Sequence, residues 1–183
     1  MISEKAFEIF STYNSYGIAL ENHCIRLCKF ALALAAKEYQ EVDEDLLVAG
    51  ANLHDIGLLV PNDDSPNYLY RGLAFALPLM DQWKLTDFEK RQMRHMLLYN
   101  HSLRLPFDIT PAGDLLRRAV QVEHSLGKWS HGLDHQTIKN IFASWPRHGL
   151  NSVLVHFTRI SLRRDGVSEI YRLFFPKGSD VDA

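Results

Sequence analysis

The chain has 183 residues, 46% of them hydrophobic and 23% charged, which are the proportions of an ordinary globular domain long enough to bury one substantial core. A formal net charge of -2 provides no broad basic surface, so a nucleic-acid polymer is excluded as the expected partner while a small phosphorylated molecule is not. No apolar run approaches the roughly 18 residues of a membrane span, and Met1-Ile2-Ser3-Glu4-Lys5 lacks the charged-then-apolar order of a signal peptide, so a cytoplasmic chain without a membrane partner is expected.

From Leu20 to Lys37 the residues Leu27, Phe30, Ala31 and Leu34 recur at helical spacing, and His23 lies four positions before Leu27 on that stripe, facing inward. Cys24 and Cys28 share one face of this helix. They are too few and too close for a disulfide framework or a four-cysteine zinc site, and read as small core residues. The acidic stretch Asp43-Glu44-Asp45 suits the start of a second helix, which runs through Leu46, Leu47, Val48 and Ala51 until Gly57 stops it. His54, three residues beyond Ala51, also faces the core, and Ala49, Gly50 and Ala51 let another helix approach closely.

Residues 61–67, Pro61-Asn62-Asp63-Asp64-Ser65-Pro66-Asn67, form a loop by every breaker rule and are placed to rim an active site. A short helix is expected from Leu73 to Trp83. Thr86-Asp87-Phe88-Glu89 is a capping box opening another, which carries Met93, His95, Met96, Leu97 and His101. Pro106 and Pro111 bound a loop, and Leu115 to Gly127 is helical again. Thr137 to Trp145 reads as a helix, whereas Arg164-Asp165-Gly166-Val167 suits either a hairpin turn or a break between helices. Pro176 to Ala183 reads as a loose tail.

The most informative stretch is Ala51-Asn52-Leu53-His54-Asp55-Ile56-Gly57, which sets an imidazole and a carboxylate inside an apolar run where neither can sit unpaired. With His23 on the preceding helix, three candidate ligands come within reach of one point. A cation is the obvious partner for them.

His23, Arg26 three residues later and the histidine-aspartate doublet at His54 and Asp55 resemble the HD superfamily of metal-dependent phosphohydrolases, over roughly residues 15 to 127. The resemblance implies an all-α, compact helical bundle forming a single domain over 1–183, with a C-terminal extension from residue 128. It also implies one divalent metal ion held by a histidine, the doublet and a later aspartate. The aspartate's place falls in Val120-Gln121-Val122-Glu123-His124-Ser125-Leu126. An ungapped reading makes His124 the fourth ligand, and a shift of one residue makes it Glu123. Three imidazoles and one carboxylate favour zinc, iron or nickel, whereas two of each suit manganese better.

His101 matches the family's histidine at the end of the helix after the doublet and is expected to face substrate or water. Arg26, one turn from His23, is placed to present a guanidinium to phosphate. His95 is expected to be structural, and His131 and His135 lack an adjacent third ligand. The reading that follows is hydrolysis of a small phosphate ester, with a nucleotide among the candidates. In it Asp55 is both ligand and base, Glu123 assists proton transfer and the 61–67 loop limits the leaving group. A metal- or nucleotide-holding module without catalysis and an iron oxygenase are the rivals. Tyr16 and Glu21 leave the latter open, and a complete second metal site is not visible.

Overall fold

A computed structural model describes residues 1–61 and 63–176. Ten helical segments make up its regular structure, with no strand among the described residues: α1 (Ile2–Tyr13), α2 (Ile18–Lys37), α3 (Glu44–Leu53), α4 (Ile56–Leu59), α5 (Tyr68–Gln82), α6 (Asp87–Tyr99), α7 (Pro111–His124), α8 (His135–Ser144), α9 (Leu150–Arg164) and α10 (Gly166–Phe174). The all-α bundle expected from the sequence is what forms.

Local chemistry sets the helix boundaries. Asp43 accepts the Leu46 N–H to cap α3, Asn67 accepts from Leu69 N and Tyr70 N to cap α5, and Thr86 with Glu89 closes the capping box that opens α6. Pro111 occupies the first turn of α7, where a missing N–H costs nothing.

Several boundaries differ from expectation, among them the start of α7 at Pro111 rather than Leu115 and the end of α6 at Tyr99, before His101. α3 ends at Leu53, so His54 and Asp55 occupy the joint before α4, and Gly57 lies within α4 rather than ending α3. α5 begins at Tyr68, because Asn67 supplies a cap that apolar periodicity does not register. Of the two alternatives for residues 160–173, the break between helices is the one that forms: Gly166, at φ +82°, separates α9 from α10. α1 was not expected at all, although Ala6 and Phe10 bury its inner face.

The main core is built where α2, α3, α6 and α7 meet, around Leu27, Phe30, Leu34, Leu47, Leu53, Met93, Met96, Leu115 and Leu116. Gly50 lets Met96 of α6 settle against α3, as the small-residue run predicts. Cys24 and Cys28 are free, buried thiols.

Two smaller clusters dock the last helices. Phe157 of α9 joins Phe10, Leu20, Cys24 and Leu150, while Leu173 of α10 joins Tyr68, Leu69, Leu98 and Tyr99. Arg71, on α5, reaches the Gly57 carbonyl at 3.1 Å and Asp165 at 3.4 Å, tying the α9–α10 corner to the joint that carries the doublet. No helix among the described residues is long and apolar enough to cross a membrane.

Candidate metal centre

His23 comes from the middle of α2, and His54 with Asp55 from the α3–α4 joint; all three are buried. Their ligand atoms converge within 4.8 Å of one another. His23 Nε2 and His54 Nε2 are 3.3 Å apart, and His54 Nε2 is 3.0 Å from Asp55 Oδ2.

The contact on the other side of each ring decides which nitrogen is free, a hydrogen bond for His54 and an ionic contact for His23. His54 Nδ1 lies 2.8 Å from the Ala51 carbonyl, which can only accept, so Nδ1 carries the hydrogen and Nε2 is left with a lone pair. His23 Nδ1 faces Glu123 Oε2 at 3.5 Å, which favours the same tautomer. Two lone pairs and a carboxylate thus converge on one point. Such a point is unfavourable without a cation, either a proton or a metal ion, and Asp55 Oδ1 has no hydrogen-bond partner. The donor set is two imidazoles and a carboxylate with room for water beside them, which suits zinc, iron or manganese.

The electrostatics agree with this geometry. Burial lowers His23 below its ordinary value, and Glu123 only partly offsets that. Burial also acts to lower His54, but Asp55 overcomes it and holds the imidazole well above its ordinary value. For Asp55 the desolvation is outweighed by His54 and His101, which keep the carboxyl well below the usual range.

His101, just beyond α6, places Nε2 at 3.7 Å from Asp55 Oδ1, and its ring stacks on His124 with centroids 5.4 Å apart. Both imidazoles and Asp55 line a cavity of about 220 Å³. His124, expected as fourth ligand, groups with His23 and Glu123 rather than with His54 and Asp55, and its Nε2 lies 3.7 Å from Glu123 Oε2. Desolvation pushes it below its ordinary value, and crowding by His101 and His23 adds to the effect.

Glu123 and Arg26 require correction. The Glu123 carboxylate is enclosed, accepting from Arg26 Nη2 at 2.7 Å and Arg147 Nη1 at 2.7 Å, so it neither faces the His54 edge of His23 nor lines the cavity. Burial works to raise its pKa, yet His23, His124 and Arg147 hold it well below the usual range. Arg26 is also enclosed, and its remaining donors go to the Trp145 and Pro146 carbonyls. It is therefore spent on Glu123 and is not free to meet a phosphate.

The 61–67 loop does not line the cavity either: Tyr68 and residues of α9 and α10 do, and Asn62 lies outside the described residues. Tyr16 packs edge-on against Phe157 and is not among the residues that line the cavity. His95 is structural, accepting the Thr110 N–H through Nδ1, and His131 meets Gln121 Oε1. Arg147 was missed by sequence reading, since nothing local marks it as a partner for Glu123, twenty-four residues away.

Residues 20–104 match the family model for the HD domain, an interval that contains His23, His54, Asp55 and His101. Residues 20–104 are an HD domain. HD domains form a superfamily of metal-dependent phosphohydrolases, and the matched interval contains the histidine-aspartate pair at the α3–α4 joint. Glu123 and His124 fall beyond the matched interval, so the positions that differ most from the family pattern are also the ones the match does not cover. Comparison with curated proteins and with solved structures gives no match.

Proposed function

We propose that this HD domain hydrolyses a small phosphate ester with water activated at a single divalent ion held by His23, His54 and Asp55. The observation that carries the reading is the 3.3 Å approach of two histidine Nε2 atoms beside the Asp55 carboxylate, at the base of a cavity. When bound, such an ion lowers the pKa of water from about 15.7 to about 7 and polarises a phosphoryl oxygen.

The chain's own residues supply position and proton transfer. Asp55, which lines the cavity and whose Oδ1 has no hydrogen-bond partner, accepts a proton from the attacking water. His101 Nε2, within 3.7 Å of that oxygen, is on the same wall and protonates the leaving oxygen as the ester P–O bond breaks. Glu123 fixes His23 through Nδ1, and Arg26 with Arg147 fixes Glu123; these three are positioning residues. His124 stands beside the reacting groups on the cavity wall, its imidazole able to meet water or substrate.

Both candidate ligand groups draw on His23, which supports one ion per chain rather than a pair of irons. Displacement of His124 from the doublet favours, as second reading, a metal-holding module without turnover. Elemental analysis of the purified chain, followed by phosphomonoester assays with added zinc, manganese, iron or nickel, separates the two. One ion per chain with turnover that His54→Ala abolishes is the expected result. Stoichiometric metal with no turnover selects the second reading, and no metal at all overturns both.

A further inference from the structure

The walls above the doublet have a composition at odds with a nucleotide site. Leu58, Leu154, Phe157, Ile170, Leu173 and Phe174 enclose the cavity, with the Thr158 and Ser161 hydroxyls among them. Neither lysine nor arginine appears in the lining. The arginines nearest the centre cannot readily be recruited: Arg26 and Arg147 are ion-paired to Glu123, and Arg71 is held by the Gly57 carbonyl and Asp165.

Size points the same way. The cavity under α9 and α10, about 220 Å³, falls below the roughly 300–1,000 Å³ typical of pockets for drug-sized ligands, and the second cavity of about 350 Å³ that adjoins it at His101, His124 and Phe174 lies against Val120 and Gln121 of α7 instead. A nucleoside also carries a ring edge and sugar hydroxyls, more donors and acceptors than the few polar side chains of the lining, Tyr68, His101, His124, Thr158 and Ser161, can match.

Resting on the phosphohydrolase reading, we infer that the cavity formed by α9 and α10 over the doublet accepts a phosphomonoester whose leaving alcohol is a small hydrocarbon or aromatic group, and that it discriminates against nucleotides. The apolar body lies against Leu154, Phe157, Ile170 and Leu173, while the phosphoryl head meets the floor at Asp55 and His101. In the reaction a water oxygen forms a bond to phosphorus and the ester P–O bond breaks. The alcohol leaves with a proton from His101, Asp55 takes the water's proton, and inorganic phosphate is the second product.

The test uses the full chain loaded with zinc or manganese and measures binding by calorimetry, so that it does not depend on turnover. The probes are phenylphosphonate, methylphosphonate and adenosine 5′-monophosphate. Phenylphosphonate is expected to bind about tenfold more tightly than either of the others, because only it can bury a ring against the apolar wall without burying unmatched polar groups. Thr158→Trp, at the exposed rim, and Ile170→Trp, half-buried in the wall, each fill the cavity from a different helix. With metal content unchanged, each is expected to weaken phenylphosphonate about tenfold and methylphosphonate far less.

Equal or tighter binding of the nucleotide, or no advantage of the phenyl over the methyl compound, overturns the inference. So does a failure of all three probes to bind. Should phenylphosphonate be preferred while no monoester is turned over, the hydrolytic reading fails and the selectivity of the cavity stands.

Discussion

Glu123 Oε2 stands 3.5 Å from His23 Nδ1, on the edge of the imidazole opposite the nitrogen that meets His54. A carboxylate behind a ligating histidine fixes its tautomer and raises its basicity, and loss of such a partner costs about 10–100-fold in metal affinity. Glu123→Gln is therefore expected to retain one ion per chain and to weaken its binding by about that factor in a chelator competition. Unchanged affinity removes the positioning role; complete loss of metal makes Glu123 a ligand after all. Glu123→Ala is a poorer probe, because it strands Arg26 and Arg147 without their carboxylate, a change costing about 3–5 kcal/mol.

His54 and His124 separate in a parallel measurement. His54→Ala removes one of the three atoms converging within 4.8 Å, and metal content is expected to fall to background. His124 lies outside that group, so His124→Ala is expected to keep the ion and lose turnover instead. Equal loss of metal in both variants restores His124 as the fourth ligand.

The part of the site written in consecutive residues was legible beforehand. The apolar stripe around His23 and the setting of the doublet between Leu53 and Ile56 point to the two elements that meet at the candidate centre, because helical period and burial are local properties. The contest between Glu123 and His124 was not legible, since it turns on Arg147, which reaches Glu123 from the turn before α9. The same is true of the cavity wall. Leu154, Phe157, Ile170 and Leu173 look like any helix core in sequence, and only the docking of α9 and α10 through Phe157 and Leu173 sets them over Asp55. The hairpin alternative failed for a related reason: a glycine at positive φ fits a hairpin turn and a helix break equally well, and packing makes the choice.

Gly57 tests how tightly the joint is built. A Cβ there would collide with the Tyr68 carbonyl and lie 2.6 Å from Gly72 N, both backbone atoms fixed by the first turns of α5. No rotamer change relieves that contact. Gly57→Ala is expected to destabilise the protein by about 3 kcal/mol or more, a fall of about 6–12 °C in Tm for a chain of this size. Gly50→Ala is the control, because its Cβ would meet the flexible end of Met96, and a smaller fall is expected. Equal losses from both would show that backbone proximity at the α4–α5 joint is not what requires glycine.

Asp45 gives the fold a pH dependence that can be separated from the metal centre. From the first turn of α3 it accepts the Ile2 and Ser3 N–H groups at 2.8 and 3.0 Å, together with the Ser3 hydroxyl, and so caps α1 from another helix. Desolvation acts to raise its pKa, but the bonds from Ser3 and Ile2 outweigh it and leave the carboxyl below its ordinary value. A carboxyl depressed in the folded state contributes stability that is fully present above its unfolded value of about 3.9 and is lost as the pH falls through the folded value. For this partly exposed group the contribution is about 1 kcal/mol after solvent screening. Asp45→Asn is therefore expected to lower Tm by about 2–4 °C at pH 7, with the gap to wild type closing as the pH is lowered below about 4. Denaturation curves of the two proteins at pH 7 and pH 3 measure this directly, and a gap of equal size at both values would show that the ionised carboxylate is not what holds α1 against α3.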